Sequence, residues 1–181
     1  MFMLTDDELK KSKILGCGDG PASFNAEVTA LGGSVVSIDP TYQFSTEQIA
    51  GRIDEVALEV MAEVRKKQED FVWKNIANPD ALYEMRMSAM QSFLADFKSG
   101  KEEGRYRYEM LPSLSFNNAQ FDLTLSSHFL FRYSENLDEQ FHGVKSPHLD
   151  GIIATLKNKV IKLASYPPTI HSKKVDLRCY K

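Results

Sequence analysis

With 181 residues, 43% of them apolar and 10% aromatic, the chain can bury one sizeable core and reads as a single domain over residues 1–181. A net charge of −3 lacks the basic excess by which proteins grip polynucleotides, so no nucleic-acid partner is expected. Two cysteines, Cys17 and Cys179, form neither a disulfide framework nor a thiolate zinc site, and no metal is expected. No apolar run reaches the roughly 18 residues that span a bilayer, and the start Met1-Phe2-Met3-Leu4-Thr5-Asp6-Asp7 has no basic segment leading into an apolar one. A cytoplasmic protein with no membrane partner is the expectation.

In chain order, the first element is a short strand at Ile14-Leu15 that runs into Gly16-Cys17-Gly18-Asp19-Gly20. Glycines at alternate positions let a backbone turn sharply out of a strand and pass close to a ligand where a Cβ would collide. The pattern predicts a helix over Pro21 to Leu31, then a β-branched strand over Ser34 to Ile38 that ends at Asp39 and Pro40. A carboxylate in that place can accept both hydroxyls of a ribose, so the expected ligand is a nucleoside-bearing cofactor. The dinucleotide fingerprint is G-x-G-x-x-G, whereas this loop is G-x-G-x-G, and both cofactor classes stay open on spacing alone. Strands joined by a helix pair in parallel, which predicts an α/β fold: a three-layer Rossmann-like sandwich with its ligand at the carboxyl ends of the strands.

Two helices follow where one would complete the next unit, an insertion over residues 44–104. Ser45 with Gln48 three residues on is a capping box, and Ile49, Ile53, Val56, Val60, Met61 and Val64 recur on one face behind it. Asn78-Pro79 opens the second helix, whose stripe Leu82, Met85, Ala89, Met90, Phe93, Leu94 and Phe97 is expected to stop at Gly100. Such stripes pack on each other and on the sheet. The sharper alternative is that the insertion covers the active site, lined by Phe71, Trp73, Arg86 and Met87, because it emerges at the carboxyl edge.

Beyond it come Arg105-Tyr106-Arg107-Tyr108-Glu109-Met110, then Leu111 to Phe116, the polar turn Asn117-Asn118-Ala119-Gln120, and Phe121-Asp122-Leu123-Thr124-Leu125-Ser126-Ser127-His128. The glycine loop with Asp39, this loop and the Phe-Asp-Leu strand follow one another in the order that resembles class I S-adenosylmethionine-dependent methyltransferases, in particular a small, largely uncharacterised bacterial group of them. The resemblance covers most of the chain. It implies S-adenosylmethionine as cofactor, held at its methionine part by Gly16, Cys17, Gly18 and Gly20. Asp39 and Pro40 would then lie at the ribose, and Glu109, Met110, Leu111 and Ser126 around the rest. The sequence departs from the family at Ile14, where an acidic residue is usual two positions before the first glycine, and at Ser115, where proline is usual. Asp19 could supply the missing carboxylate.

By comparison with the family, one helix and one strand are missing between His142 and Ser146. Lys159 to Leu163 reads as a strand, and the alternation of Val175, Leu177 and Cys179 as a last, antiparallel C-terminal strand. Methyl transfer needs proximity and orientation, and a general base only where the acceptor loses a proton. His128 at the end of the fourth strand is the candidate base, with Tyr133 a weaker partner. Ser126-Ser127 stands in no G-x-S-x-G elbow, and His142, His148 and His171 lack metal-site spacing. The expected function is methyl transfer to a small-molecule acceptor; the alternative is a methyltransferase-like protein that binds cofactor or partner without turnover.

Overall fold

The computed structural model describes residues 4–74, 76–111 and 113–126, and the backbone of Ser127, Ile161–Ala164 and Val175–Asp176. Helix α1 (Asp6–Lys11) starts in a capping box in which Thr5 and Glu8 satisfy each other's backbone amides. Strand β1 (Lys13–Cys17) leads through the glycine loop to α2 (Phe24–Ala30) and β2 (Ser34–Ile38). After a 3-10 turn at Pro40–Gln43 come α3 (Thr46–Lys66), β3 (Phe71–Val72) and α4 (Pro79–Glu102). Strands β4 (Tyr106–Arg107), β5 (Leu123–Ser127), β6 (Ile161–Ala164) and β7 (Val175–Asp176) complete the order.

The fold is α/β. Its main sheet runs β4-β2-β1-β5-β6, with every neighbouring pair parallel. Chain order reverses between β1 and β5, which is where open parallel sheets carry a crevice at the carboxyl ends of their strands. Asp122 holds β5 in register, its carboxylate accepting from the Lys13 amide at 3.0 Å and its own amide donating to the Lys13 carbonyl at 2.9 Å. On one face Ile14, Val35, Leu123 and Leu125 pack with Val28 of α2 and Leu9 of α1. On the other, Leu15, Cys17 and Ile38 pack with Leu111 and Phe121.

The two long helices divide the work of the crossover. Helix α4 packs on α2 and β4, and α3 packs on α4. They run antiparallel: Ile49 and Ile53 early in α3 share a cluster with Phe93 and Phe97 late in α4, whereas Met61 and Val64 meet Leu82 at the other end. Tyr42, Phe93, Phe97 and Tyr106 form one aromatic cluster with ring centroids 4.9–5.9 Å apart. Beside it, Arg105 grips Asp96 with two hydrogen bonds of 2.6 and 2.7 Å and reaches Asn25 at 2.8 Å, while Tyr106 donates to the same carboxylate at 2.8 Å. Asn25 in turn donates to Val35, Ser37 and the Arg105 carbonyl, so a polar knot ties α2, β2, α4 and β4.

Several boundaries differ from the sequence expectation. Helix α4 continues past Gly100, where a Cβ would stand 2.6 Å from the Tyr106 ring, so that glycine serves close packing. The stop is Gly104, at φ +79°, with the Arg105 amide bonded to the Gly100 carbonyl and the Gly104 amide to that of Lys101, a Schellman ending. Helix α2 begins at Phe24 rather than Pro21, because the Ala22 amide turns back onto the Gly20 carbonyl. The strand expected over Lys159 to Leu163 is Ile161–Ala164, parallel to β5. The expected antiparallel C-terminal strand is corrected: Val175–Asp176 pairs parallel with Phe71–Val72 in a separate two-stranded sheet. That pairing takes it away from the main sheet. The stretch between His142 and Ser146 lies outside the described residues.

Candidate cofactor site

The glycine loop is held from three sides. Leaving β1, the Gly18 amide donates to the Ile38 carbonyl at 2.9 Å, which ties the loop to the end of β2. Asp19 folds back over Gly16, where any Cβ would collide with its carboxylate, and accepts from the Ser37 hydroxyl at 2.6 Å. Gly20 takes φ +57°, donates from its amide to Asp39 Oδ2 at 2.9 Å, and accepts from the Tyr42 hydroxyl at 2.7 Å. Asp39 Oδ1 meanwhile caps the 3-10 turn, accepting from the Thr41 amide at 2.8 Å and its hydroxyl at 2.6 Å.

Asp39 therefore has an internal occupation. A carboxylate offers about four lone-pair sites, three of which here hold the loop and the turn. Asp19 is likewise engaged, by Ser37. Burial, opposed by the Ser37 hydrogen bond and reinforced by the charge of Asp39, raises its pKa to about 6. Burial, and then the charge of Asp19, push the Cys17 thiol up, so this cysteine is no thiolate nucleophile near neutrality.

Next to the loop, Cys17, Gly18, Ile38, Pro40, Glu109, Met110 and Leu111 line a closed crease too narrow to admit a water-sized sphere. Its floor is strand ends and its outer wall is the segment after β4. Glu109 braces that segment: it accepts from the Ser115 amide at 2.9 Å and the Ser115 hydroxyl at 2.8 Å, and pairs with Arg107 at 2.7 Å. Ser115 thus contributes an amide that proline could not offer. Met110, also on the lining, is 47% exposed and has a flexible side chain. On β5, Ser126 stands in register with Cys17, and its hydroxyl, like that of Thr124, is buried with no hydrogen-bond partner among the described residues.

Of the residues singled out in the sequence, Cys17, Gly18, Pro40, Glu109, Met110 and Leu111 meet as walls of one crease. Gly16, Asp19, Gly20 and Asp39 form the loop and turn behind it, and Ser126 stands one strand away. His128 and Tyr133 lie outside the described residues. Sequence reasoning missed Ile38, Ser37 and Tyr42. The alternation of a strand carries a signal for Ile38, which shares the face of Cys17 through their pairing. Nothing local marks Tyr42, whose role comes from the turn that aims it at Gly20.

No family model matches the chain. It is 29% identical over 143 residues to an uncharacterised protein of Methanocaldococcus jannaschii, an alignment covering 78% of this chain and 63% of that protein. The chain thus spans less than two thirds of the relative's length. No solved structure matches it.

Proposed function

We propose that the chain is a Rossmann-like, three-layer S-adenosylmethionine-dependent methyltransferase that acts on a small-molecule acceptor. The observation that supports it best is a convergence. Cys17 and Gly18 of the loop leaving the first strand, Ile38 and Pro40 on either side of the acidic residue that ends the second, and the Glu109–Leu111 segment line one crease, beside the reversal of strand order.

The residue types along the crease suit a nucleoside, which would enter by displacing the exposed Met110 side chain. Ile38, Pro40, Met110 and Leu111 offer apolar walls to a purine, Asp39 keeps one lone pair beyond its internal bonds, and Ser126, across β1, carries a hydroxyl with no partner among the described residues. Bound there, S-adenosylmethionine would supply an electrophilic methyl group. The chain's own contribution is orientation, with Gly16–Gly20 fixed by Ser37, Asp39 and Tyr42.

Calorimetric titration with S-adenosylmethionine and, separately, NAD tests the assignment. Micromolar binding of the first alone is the expected result. NAD binding alone, or binding of neither, overturns it. One observation favours a second reading, a methyltransferase-like binder without turnover: the carboxylates of Asp39 and Glu109 already serve internal bonds. Transfer of a labelled methyl group to components of a cell extract decides against that reading. Cofactor binding with no transfer decides for it.

A further inference from the structure

Between α3 and α4 lies a second cavity, of about 630 Å³ and with an almost wholly apolar lining. Its volume falls in the range of about 300–1,000 Å³ typical of small-molecule sites. One wall is the α3 stripe Ile49, Ile53, Val56 and Val60, with Arg52 one turn beyond Gln48, and the facing wall is Tyr83, Arg86, Met87 and Met90 of α4. Lining residues on α3 run from Gln48 to Met61, so the cavity extends for about 20 Å at about 1.5 Å of rise per residue. It is a slot rather than a sphere.

The two ends of the slot differ in chemistry. At the end nearer the start of α3, Pro21, Thr41 and Gln48 line it. Pro21 follows Gly20 directly, and Thr41 bonds Asp39, so this end abuts the loop and turn of the cofactor site. At the far end, Val60, Met61 and Tyr83 close the slot. Methionines on both walls adapt to a long, irregular apolar guest.

We infer that this slot binds an elongated apolar small molecule, such as a long acyl chain, with its polar head toward Pro21 and Thr41. Its further role as methyl acceptor rests on the proposed methyltransferase reading; the slot itself does not. The polar head then lies on the glycine-loop side and the chain between the helices.

Titration of the full chain with dodecanoate and with hexanoate, below their micellar concentrations, tests the inference. Dodecanoate is expected to bind at least tenfold more tightly than hexanoate, because the longer chain buries more apolar surface. Ala57→Trp, which fills the slot from one wall, is expected to weaken dodecanoate at least tenfold, and Met87→Trp does the same from the other should the first variant not fold. Leu58→Trp, at a position 71% exposed and outside the lining, leaves binding unchanged. Absent dodecanoate binding, or binding equal in Ala57→Trp and Leu58→Trp, overturns the inference. So does a concentration-dependent dimer abolished by Ala57→Trp, which would make a second copy the occupant. Titrating the same preparation with S-adenosylmethionine separates the two claims. Cofactor binding without dodecanoate binding sinks the slot alone, and the converse upholds the slot and sinks the methyltransferase reading.

Discussion

Asp19 is the residue at which folding and the candidate site pull against each other. Its carboxylate sits against Gly16 and Ser37 with Asp39 nearby, and its pKa is raised to about 6 from 3.8. A carboxyl raised on folding binds more protons in the native than in the unfolded state, so stability contributed by this group is fully present below pH 3.8 and lost as pH rises through about 6. Asp19→Asn keeps an oxygen for the Ser37 hydroxyl and removes the buried charge. Its urea midpoint is expected to equal that of the parent at pH 4 and exceed it at pH 7.5. A lower midpoint at pH 7.5 would show that the ionised form holds the loop.

At the scale of elements, the polar knot at Arg105 decides how the helical insertion joins the sheet. Arg105 and Asp96 are 14% and 23% exposed at their side chains, and the carboxylate also takes the Tyr106 hydroxyl. The Arg105 hydrogen bonds hold Asp96 below the ordinary carboxylate range. Asp96→Ala takes two hydrogen bonds from the partly buried guanidinium, which keeps Glu103 and Asn25, and removes the acceptor of the Tyr106 phenol, which is expected to cost about 1–3 kcal/mol in chemical denaturation. A loss under about 0.5 kcal/mol, the range of plain surface changes, would show the knot to be ornamental. The elements themselves were legible where the signal is local. The capping box at Ser45, Asn78-Pro79 and the β-branched run to Ile38 placed α3, α4 and β2. What was not legible came from contacts distant in sequence: Gly100 looks like a helix stop until Tyr106 packs on it, and Val175 leaves the main sheet to pair with Phe71. The candidate site divides the same way. The walls of the crease followed from motif order, but the internal bonds of Asp39 and Glu109 depend on Thr41 and Ser115, and no spacing announces those.

Over the whole molecule, the aromatic cluster makes the insertion and the candidate site one cooperative body. Tyr42 touches Phe93, Phe97 and Tyr106 with its ring and Gly20 with its hydroxyl, so the packing of α4 sets the position of the glycine loop. Deleting residues 44–104 would remove Phe93 and Phe97 from beneath Tyr42, and it would be read as unfolding rather than as loss of a lid. Phe93→Ala is the finer probe. It opens a cavity beside a ring that is completely buried and is expected to cost about 3–5 kcal/mol, within the roughly 5–15 kcal/mol of a typical domain. On the proposed reading, the loosened Tyr42 no longer fixes the Gly20 carbonyl, and S-adenosylmethionine affinity is expected to fall at least tenfold under conditions where the variant remains folded. Leu58→Ala, on the exposed side of α3, changes neither quantity. If Phe93→Ala lost stability and kept its cofactor affinity, the loop would be held by Ser37 and Asp39 alone, and the insertion would be coupled to the fold without being coupled to the site.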